Sequence, residues 1–383
     1  MLHKGLWFQN YKQSKYILWV IWLTAVLSGV QFYNHAGNVA SHLQFYMEIG
    51  RNYQDEYQYN FYASVEMISA IQLLLCIGLA AVLVGLGRTN QTLELAYAMP
   101  VKREHIFLTK WLLGVVHIIG ATTAGFLIQL AIIHTTVLST FLPDRLMEIY
   151  YLHQLFTLCA VFSLSLWIGF VGGNVISQIA FCIILPLVPY DLYGCMKGLV
   201  SMHYFAMGIM NTREDWLFLR EMSILFEHIS FPIKLLHVNS LFALANFTAG
   251  NDESYLWKVR QLYFGIHSFI VPVLVTAGSV WGMHRMARTS RNENNGKLLL
   301  NERLRPYLVA GGMVCVFLFG GTLLEGMLGN HYYGREGQHA QKYVQNLIIF
   351  YTSGAVSAAV AAFIIRKWLG GKGLPGRRRT SAS

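Results

Sequence analysis

An all-α, polytopic integral membrane protein with about eight transmembrane helices is predicted by two features of this 383-residue sequence. Charged residues make up only 13% of the chain, whereas soluble domains carry about 25%. The charges also occur in clusters, separated by eight apolar runs without lysine or arginine: about 16–35, 64–87, 111–138, 153–172, 176–196, 262–284, 307–328 and 343–365. Each run can cross a hydrocarbon core about 30 Å thick as a helix, which satisfies its own backbone hydrogen bonds in lipid.

The distribution of basic residues predicts that both the N and the C terminus are cytoplasmic. With the N terminus inside, 19 of the 29 lysine and arginine residues fall on the cytoplasmic side. This bias agrees with the positive-inside rule, and the opposite orientation would reverse it. The formal charge of +10 is therefore explained by topology and by contact with anionic membrane lipid. No nucleic acid partner is expected.

The common motifs of nucleotide binding and catalysis are absent from the sequence. It contains no GxxxxGK[ST] phosphate loop, no HExxH metal site and no GxSxG nucleophile motif. The 14 histidines are scattered without the spacing of metal ligands. We therefore expect no catalytic residue, metal site or energy source in this chain.

The first cytoplasmic loop, residues 88–110, reads RTNQTLELAYAMPVKREHIFLTK. Its front half places Leu93, Leu95 and Met99 roughly on one side of a helix, and Pro100 follows them. Proline ends a preceding helix and can open the next one. The loop thus predicts a short amphipathic helix on the inner membrane surface, a break at Pro100 and a basic entry into the third span.

Two further segments depart from simple spans or loops. The fifth run contains Pro186 and Pro189, followed by Asp191, and two prolines three residues apart are expected to kink or break the helix. A bent helix beside a translocation path is one interpretation, and simple packing is the other. The outer segment 197–261 repeats apolar residues at helical spacing, which predicts amphipathic helices at the outer interface and leaves a return into the membrane open.

The last run carries small residues at helical spacing, including Ser353, Gly354 and Ser357. Small residues allow close approach of helices in a membrane. This face could pack within the chain or against another subunit.

The segment from Glu94 to Gly114, ELAYAMPVKREHIFLTKWLLG, is similar to the cytoplasmic segment of ABC-2-type transporter permeases. The positions that carry the resemblance are Glu94, Met99, Pro100, Val101, Lys102, Arg103, Ile106, Phe107 and Lys110. The later segment ENNGKLLLNERLRP, residues 293–306, resembles a second cytoplasmic loop of some Gram-positive members. Residues 1–285 would then form a six-span permease core, and residues 286–383 a cytoplasmic loop, two extra spans and a basic tail.

This resemblance implies a permease subunit of an ATP-driven ABC transporter in the bacterial plasma membrane. A cytoplasmic ATP-binding subunit, holding ATP and Mg²⁺, would dock on the coupling residues Glu94, Leu95, Met99, Pro100, Val101, Lys102 and Arg103. A second permease chain, identical or homologous, would complete the complex. Export of a peptide, lipid-linked or antibiotic-like substrate is the expected activity.

Two alternatives from other classes remain open. A membrane-embedded enzyme would need its scattered polar residues, such as His117, His134 and Glu66, to converge within the bilayer. An ion-coupled secondary carrier would need inverted repeats and broken helices around a site at the membrane midplane.

Overall fold

The computed structural model describes residues 4–50, 65–89, 102–142, 144–171, 175–207, 213–237, 267–289, 305–329 and 340–370. These residues are almost entirely helical, and none of them lies in a strand. The helices are α1 (Lys4–Glu48), α2 (Val65–Ala80), α3 (Arg103–Thr135), α4 (Asp144–Val171), α5 (Val175–Ala206), α6 (Arg213–Ile229), α7 (Phe231–Leu236), α8 (His267–Thr289), α9 (Arg305–Leu328) and α10 (Ala340–Gly370). After α2 the chain passes through a π-helical turn (Ala81–Gly85) into a last helical stretch (Leu86–Thr89).

Within the described residues, seven helices are long and apolar enough to cross a membrane. They are Lys4–Glu48, Met67–Gly85, Arg103–Thr135, Asp144–Phe170, Val175–Ala206, Val309–Leu328 and Lys342–Ile364. The predicted all-α, multi-pass class is confirmed by these helices. The eighth predicted run, 262–284, coincides largely with α8, which has 23 residues but is not among the seven, so the count of eight stays a prediction.

The chain divides into two compact units, of which the first comprises residues 1–187 and 227–300. Helix α4 lies at its centre and packs against α2, α3 and α8, while α1 packs along α3. The short helix α7 packs against α2 and α4. Helix α4 is accordingly the most buried of the seven candidate spans.

A chain of buried amide and hydroxyl groups connects three helices of the first unit. Gln72 of α2 donates through Nε2 to Oγ1 of Thr24 in α1, at 3.1 Å. Gln154 of α4 donates through Nε2 to Oε1 of Gln72, at 2.6 Å. All three side chains are buried, and such bonds between membrane helices contribute about 0.6–2 kcal/mol each. They fix the register of α1, α2 and α4.

The contact between α3 and α4 depends on Gly114. The ring of Phe162, which is fully buried, lies directly over the Gly114 backbone, where it occupies the position that a Cβ atom would take. Glycine here removes a side chain so that an aromatic ring can fill the space between the helices. This is the close approach that small residues permit in membrane proteins.

The second unit comprises residues 188–226 and 301–383, and within it α9 and α10 pack along each other. The hydroxyl of Ser357 lies against Gly320, and the side chain of Phe317 lies against Gly354. The small-residue face predicted in the last run therefore packs within the chain. Near the other end of this helix pair, Asn346 Nδ2 donates to Oε1 of the buried Glu325 at 3.1 Å.

Replacing Gly114 with alanine tests the packing of α3 on α4. Gly114→Ala should lower the free energy of unfolding by about 1–3 kcal/mol, because the added methyl group displaces the ring of Phe162. The matched control is Gly278→Ala in α8, where no atom lies within 4 Å of the added Cβ. That change should be neutral or stabilising by up to about 1 kcal/mol. Unfolding of the purified proteins by SDS titration measures both, and equal midpoints would contradict this packing.

Candidate functional site

The described part of the predicted coupling segment begins at Lys102. Lys102 is exposed and caps α3 with an extended backbone, φ −60° and ψ 131°, and the half-buried Arg103 is the first residue of the helix. The chain therefore enters α3 from a non-helical conformation at Lys102, two positions after Pro100. The remaining predicted coupling residues lie outside the described residues: Glu94, Leu95, Met99, Pro100 and Val101.

The first two turns of α3 are firmly attached to the helices behind them. Ile106 and Phe107 are buried, and the ring of Phe107 meets that of Phe170, near the end of α4, edge to face at 4.3 Å between centroids. Aromatic pairs of this geometry stabilise by about 0.5–1.5 kcal/mol beyond the burial of their area. The start of α3 therefore packs directly on the end of α4.

A buried lysine ties the helices on either side of residues 90–101. The amine of Lys110 in α3, at 5% exposure, donates to the backbone carbonyl of Leu83 in the π-helical turn. A π-helical turn is rare and interrupts the regular pattern of backbone bonds. Gln13 of α1 donates to the neighbouring Val82 carbonyl at 2.7 Å. We call the bond between Lys110 and Leu83 the lysine clamp.

Helix α5 is attached beside the π-helical turn through Gln178. This buried side chain donates through Nε2 to the Ser165 carbonyl of α4 at 2.9 Å. A Cβ at Gly169 would lie 2.6 Å from Gln178 Nε2, and a Cβ at Gly85 would collide with the same side chain. Glycine at both positions therefore makes room for an amide that joins α4 and α5 beside the π-helical turn.

The three residues of the predicted translocation path all lie in α5. The helix continues through Pro186 and Pro189 without a break. Pro186 is buried, while Pro189 and Asp191 are half-buried. The boundary between the two units falls between residues 187 and 188, hence between the two prolines. A role for these residues in transport stays a prediction.

Two histidines proposed for an embedded enzyme have separate partners. His117 accepts a hydrogen bond from the indole Nε1 of Trp22 at 3.1 Å, and Nε2 of His134 lies 3.3 Å from a carboxylate oxygen of Asp144. The side chain of Glu66 is outside the described part. Among the described residues, no group of three or more histidine, cysteine or acidic side chains could hold a metal ion.

A cluster of buried ionisable groups surrounds α7, and the sequence reasoning missed it. The side chain of Lys234 is 1% exposed. Its amine lies 2.7 Å from Ser268 Oγ and 3.0 Å from His228 Nε2. The neighbouring carboxylate of Glu227 is also buried and lies 3.1 Å from His237 Nδ1. Burial lowers the pKa of Lys234 to about 7, and the negative charge of Glu227 opposes this shift.

Helix α4 contributes His153 to this α7 polar cluster. The imidazole of His153 is 4% exposed and its centroid lies 6.2 Å from the ring of Phe269. Neither ring nitrogen has a hydrogen-bond partner among the described residues. Tyr150, Gln154 and Thr157 share the same helical face, because their spacing follows the α-helical period. This run of polar side chains inside an apolar helix is the signal that could have indicated the cluster.

Comparison with protein-family models, with curated proteins and with solved structures finds no match. The resemblance to ABC-2-type permeases therefore rests on the residues of segment 94–114 and on their place after the second apolar run. The geometry around Lys110 and around Lys234 has to be interpreted from its own chemistry.

The lowered pKa of Lys234 predicts a pH dependence of stability. Between pH 7 and 10.5 the unfolded chain binds the lysine proton more tightly than the folded protein, so stability rises with pH. Below about pH 7 both states are protonated and the full cost of burying the charge remains. The free energy of unfolding should increase by up to about 1 kcal/mol per pH unit in this window.

The Lys234→Met variant should lose this slope in an SDS titration repeated at several pH values. Lys12→Met, which alters an exposed lysine of α1, should keep the slope. If the slopes of wild type and Lys234→Met are equal, the buried amine does not carry the pH dependence.

Proposed function

We propose that this chain is the transmembrane permease subunit of an ATP-driven ABC transporter of the ABC-2 type. Three observations support the proposal: a multi-pass helical body, the absence of a phosphate-binding loop from the sequence, and the resemblance of residues 94–114. ATP and Mg²⁺ would bind to a separate cytoplasmic subunit, and a second permease chain, identical or homologous, would complete the complex.

The lysine clamp is the observation that carries the proposal. A loop can pass force from a docked protein into a membrane domain only if its two ends are held to the spans that must move. Here Lys110, behind the loop, holds the backbone of Leu83, in front of it. A push on residues 90–101 would therefore displace α2 and α3 together, as a two-state change that the ATP-bound partner favours.

The number of spans and their orientation in the membrane belong to the same proposal. Eight spans, with α8 as the sixth, place the N and C termini and the clamp on the cytoplasmic side of a bacterial plasma membrane. Helices α6 and α7 then lie in the outer segment before the sixth span. Export of a peptide, lipid-linked or antibiotic-like substrate is the activity that this assignment favours.

An ion-coupled secondary carrier is the second candidate, and the α7 polar cluster favours it. Ionisable groups buried among membrane helices often belong to proton relays, and Lys234, Glu227 and His228 form such a group with His153. The two candidates differ in their energy source. If substrate transport into or out of vesicles follows an imposed proton gradient in the absence of ATP, the result supports the carrier. If substrate transport requires ATP, the result supports the permease.

Docking of the ATP-binding subunit is tested by co-purification. A tagged chain, isolated in mild detergent from its native cells, should retain an ATPase. Glu94→Lys or Leu95→Asp should reduce the amount retained at least about tenfold, a loss of about 1.4 kcal/mol in binding. Glu148→Lys, which reverses an exposed carboxylate at the start of α4, is the matched control and should retain the partner. Equal retention by all variants would remove residues 94 and 95 from the docking surface.

Sidedness is tested by cysteine labelling in intact and permeabilised cells. Leu95→Cys and Arg103→Cys should react with a membrane-impermeant maleimide only after permeabilisation, whereas Glu148→Cys should react in intact cells. The native cysteines are buried or half-buried, which keeps the background low. Labelling of position 95 or 103 from outside would exclude a cytoplasmic coupling loop.

A further inference from the structure

Three helices of the first unit line a groove that lies apart from the α7 polar cluster and begins at the start of α3, directly after the predicted coupling residues. Helices α3, α4 and α8 line a volume of about 810 Å³, within the usual range of about 300–1,000 Å³ for ligand sites. Its walls are mainly aromatic and aliphatic, for example Trp111, Phe156 and Val280. The indole Nε1 of Trp111 donates to Ser163 Oγ at 2.9 Å, so its polar atom is already satisfied.

The cavity is a groove that opens sideways along α3 and α8. Large apolar residues on its edges remain between 41% and 62% exposed, among them Ile119, Val273 and Trp281. Both helices belong to the proposed spans, so the medium outside this opening is the hydrocarbon of the bilayer. Water is therefore not the expected occupant of an apolar groove in this position.

One end of the groove is polar and has basic residues next to it in the sequence. Glu104 Oε2 lies 3.6 Å from His284 Nδ1, and His105 also lines this end. The guanidinium of Arg285 lies 5.5 Å from the ring centroid of Trp281. Among the described residues, Arg285 follows His284 directly in the sequence, and Lys102 and Arg103 directly precede Glu104. The polar end coincides with the first turn of α3 and the last turns of α8.

We propose that this groove binds an acyl chain of a membrane phospholipid whose anionic headgroup lies at the Arg285 end. The apolar walls match the chain, and the cationic end matches a phosphodiester. Basic pockets between membrane helices on the cytoplasmic side bind anionic headgroups in this way, and aromatic residues such as Trp281 are common at the level of the headgroups. The assignment needs α3 and α8 to lie in a bilayer and does not depend on the ABC transporter proposal.

Native mass spectrometry of the purified wild-type chain tests the site with two probes that share the same acyl chains. Phosphatidylglycerol should be retained as one tightly bound molecule, at least about tenfold more strongly than phosphatidylcholine. Free palmitate at equal concentration should not displace it, because the fatty acid lacks the phosphodiester. Equal retention of both phospholipids would overturn the headgroup assignment, and displacement by palmitate would identify a fatty acid site instead.

Two pairs of variants separate the chain from the headgroup. Ala277→Trp fills the groove and should abolish tight retention, whereas Ala310→Trp, on an exposed position of α9, should not. Arg285→Gln should remove the preference for phosphatidylglycerol and leave retention of phosphatidylcholine unchanged, while Arg145→Gln, an exposed arginine at the start of α4, should keep the preference. Unchanged retention by Ala277→Trp would overturn the site.

A crosslinking measurement avoids dependence on variant folding. Wild-type protein is reconstituted in vesicles of phosphatidylcholine with a minor fraction of phosphatidylglycerol that carries a photoreactive acyl chain. Peptide mapping should place the adducts on α3 between Leu108 and Ile119 and on α8 between Val273 and Trp281. Adducts spread evenly over the lipid-facing helices, or none on α3 and α8, would refute the proposal, as would crosslinks that show a second polypeptide in the groove.

Discussion

An amine buried between membrane helices needs an acceptor, and in this protein Lys110 finds it in the backbone of another span. A regular α-helix offers few free carbonyls in its interior, because each accepts a bond from four residues further on. The π-helical turn at the end of α2 changes this pattern and presents Leu83 to Lys110 and Val82 to Gln13. The carbonyl groups of the π-helical turn thus connect both α1 and α3 to the end of α2.

The same rule explains several other polar groups inside the first unit. Gln72 and Gln154 lie in apolar surroundings and use each other and Thr24 as partners. Lys234 is carried inward on a helix too short to span a membrane, and it is accommodated by Ser268 and His228. In each case the cost of burying a polar group without a hydrogen-bond partner favours one arrangement of helices over its alternatives.

Hydropathy was sufficient to predict most of the helices, because length and apolarity alone decide whether a segment can cross lipid. It was less informative for α8, whose apolar run passes into the basic residues Arg285 and Arg288. It also could not indicate the π-helical turn, because the sequence AVLVG contains no residue that requires one. The unbroken course of α5 through Pro186 and Pro189 was not predicted, because prolines are tolerated inside membrane helices more often than in soluble ones.

The candidate sites were predictable only where they are local in sequence. The proposed coupling segment is one continuous stretch and could therefore be suggested from its residues, although the acceptor of Lys110 lies 27 positions earlier. The α7 polar cluster draws on α4, α6, α7 and α8, so its members share no spacing. Its segment was interpreted as an interfacial surface because the alternation of apolar and charged residues resembles one. The groove is likewise a property of three helices from distant parts of the chain.

Helix α1 has 45 residues, which at 1.5 Å each gives about 67 Å, more than twice the hydrocarbon thickness of about 30 Å. Such a rod cannot be contained in lipid, so it must lean or project from at least one surface. Gln13 attaches it near one end to the π-helical turn, and much of its length packs along α3. A tilt of α1 about its contact with α3 would therefore move the end near Gln13 and the end near Glu48 in opposite directions.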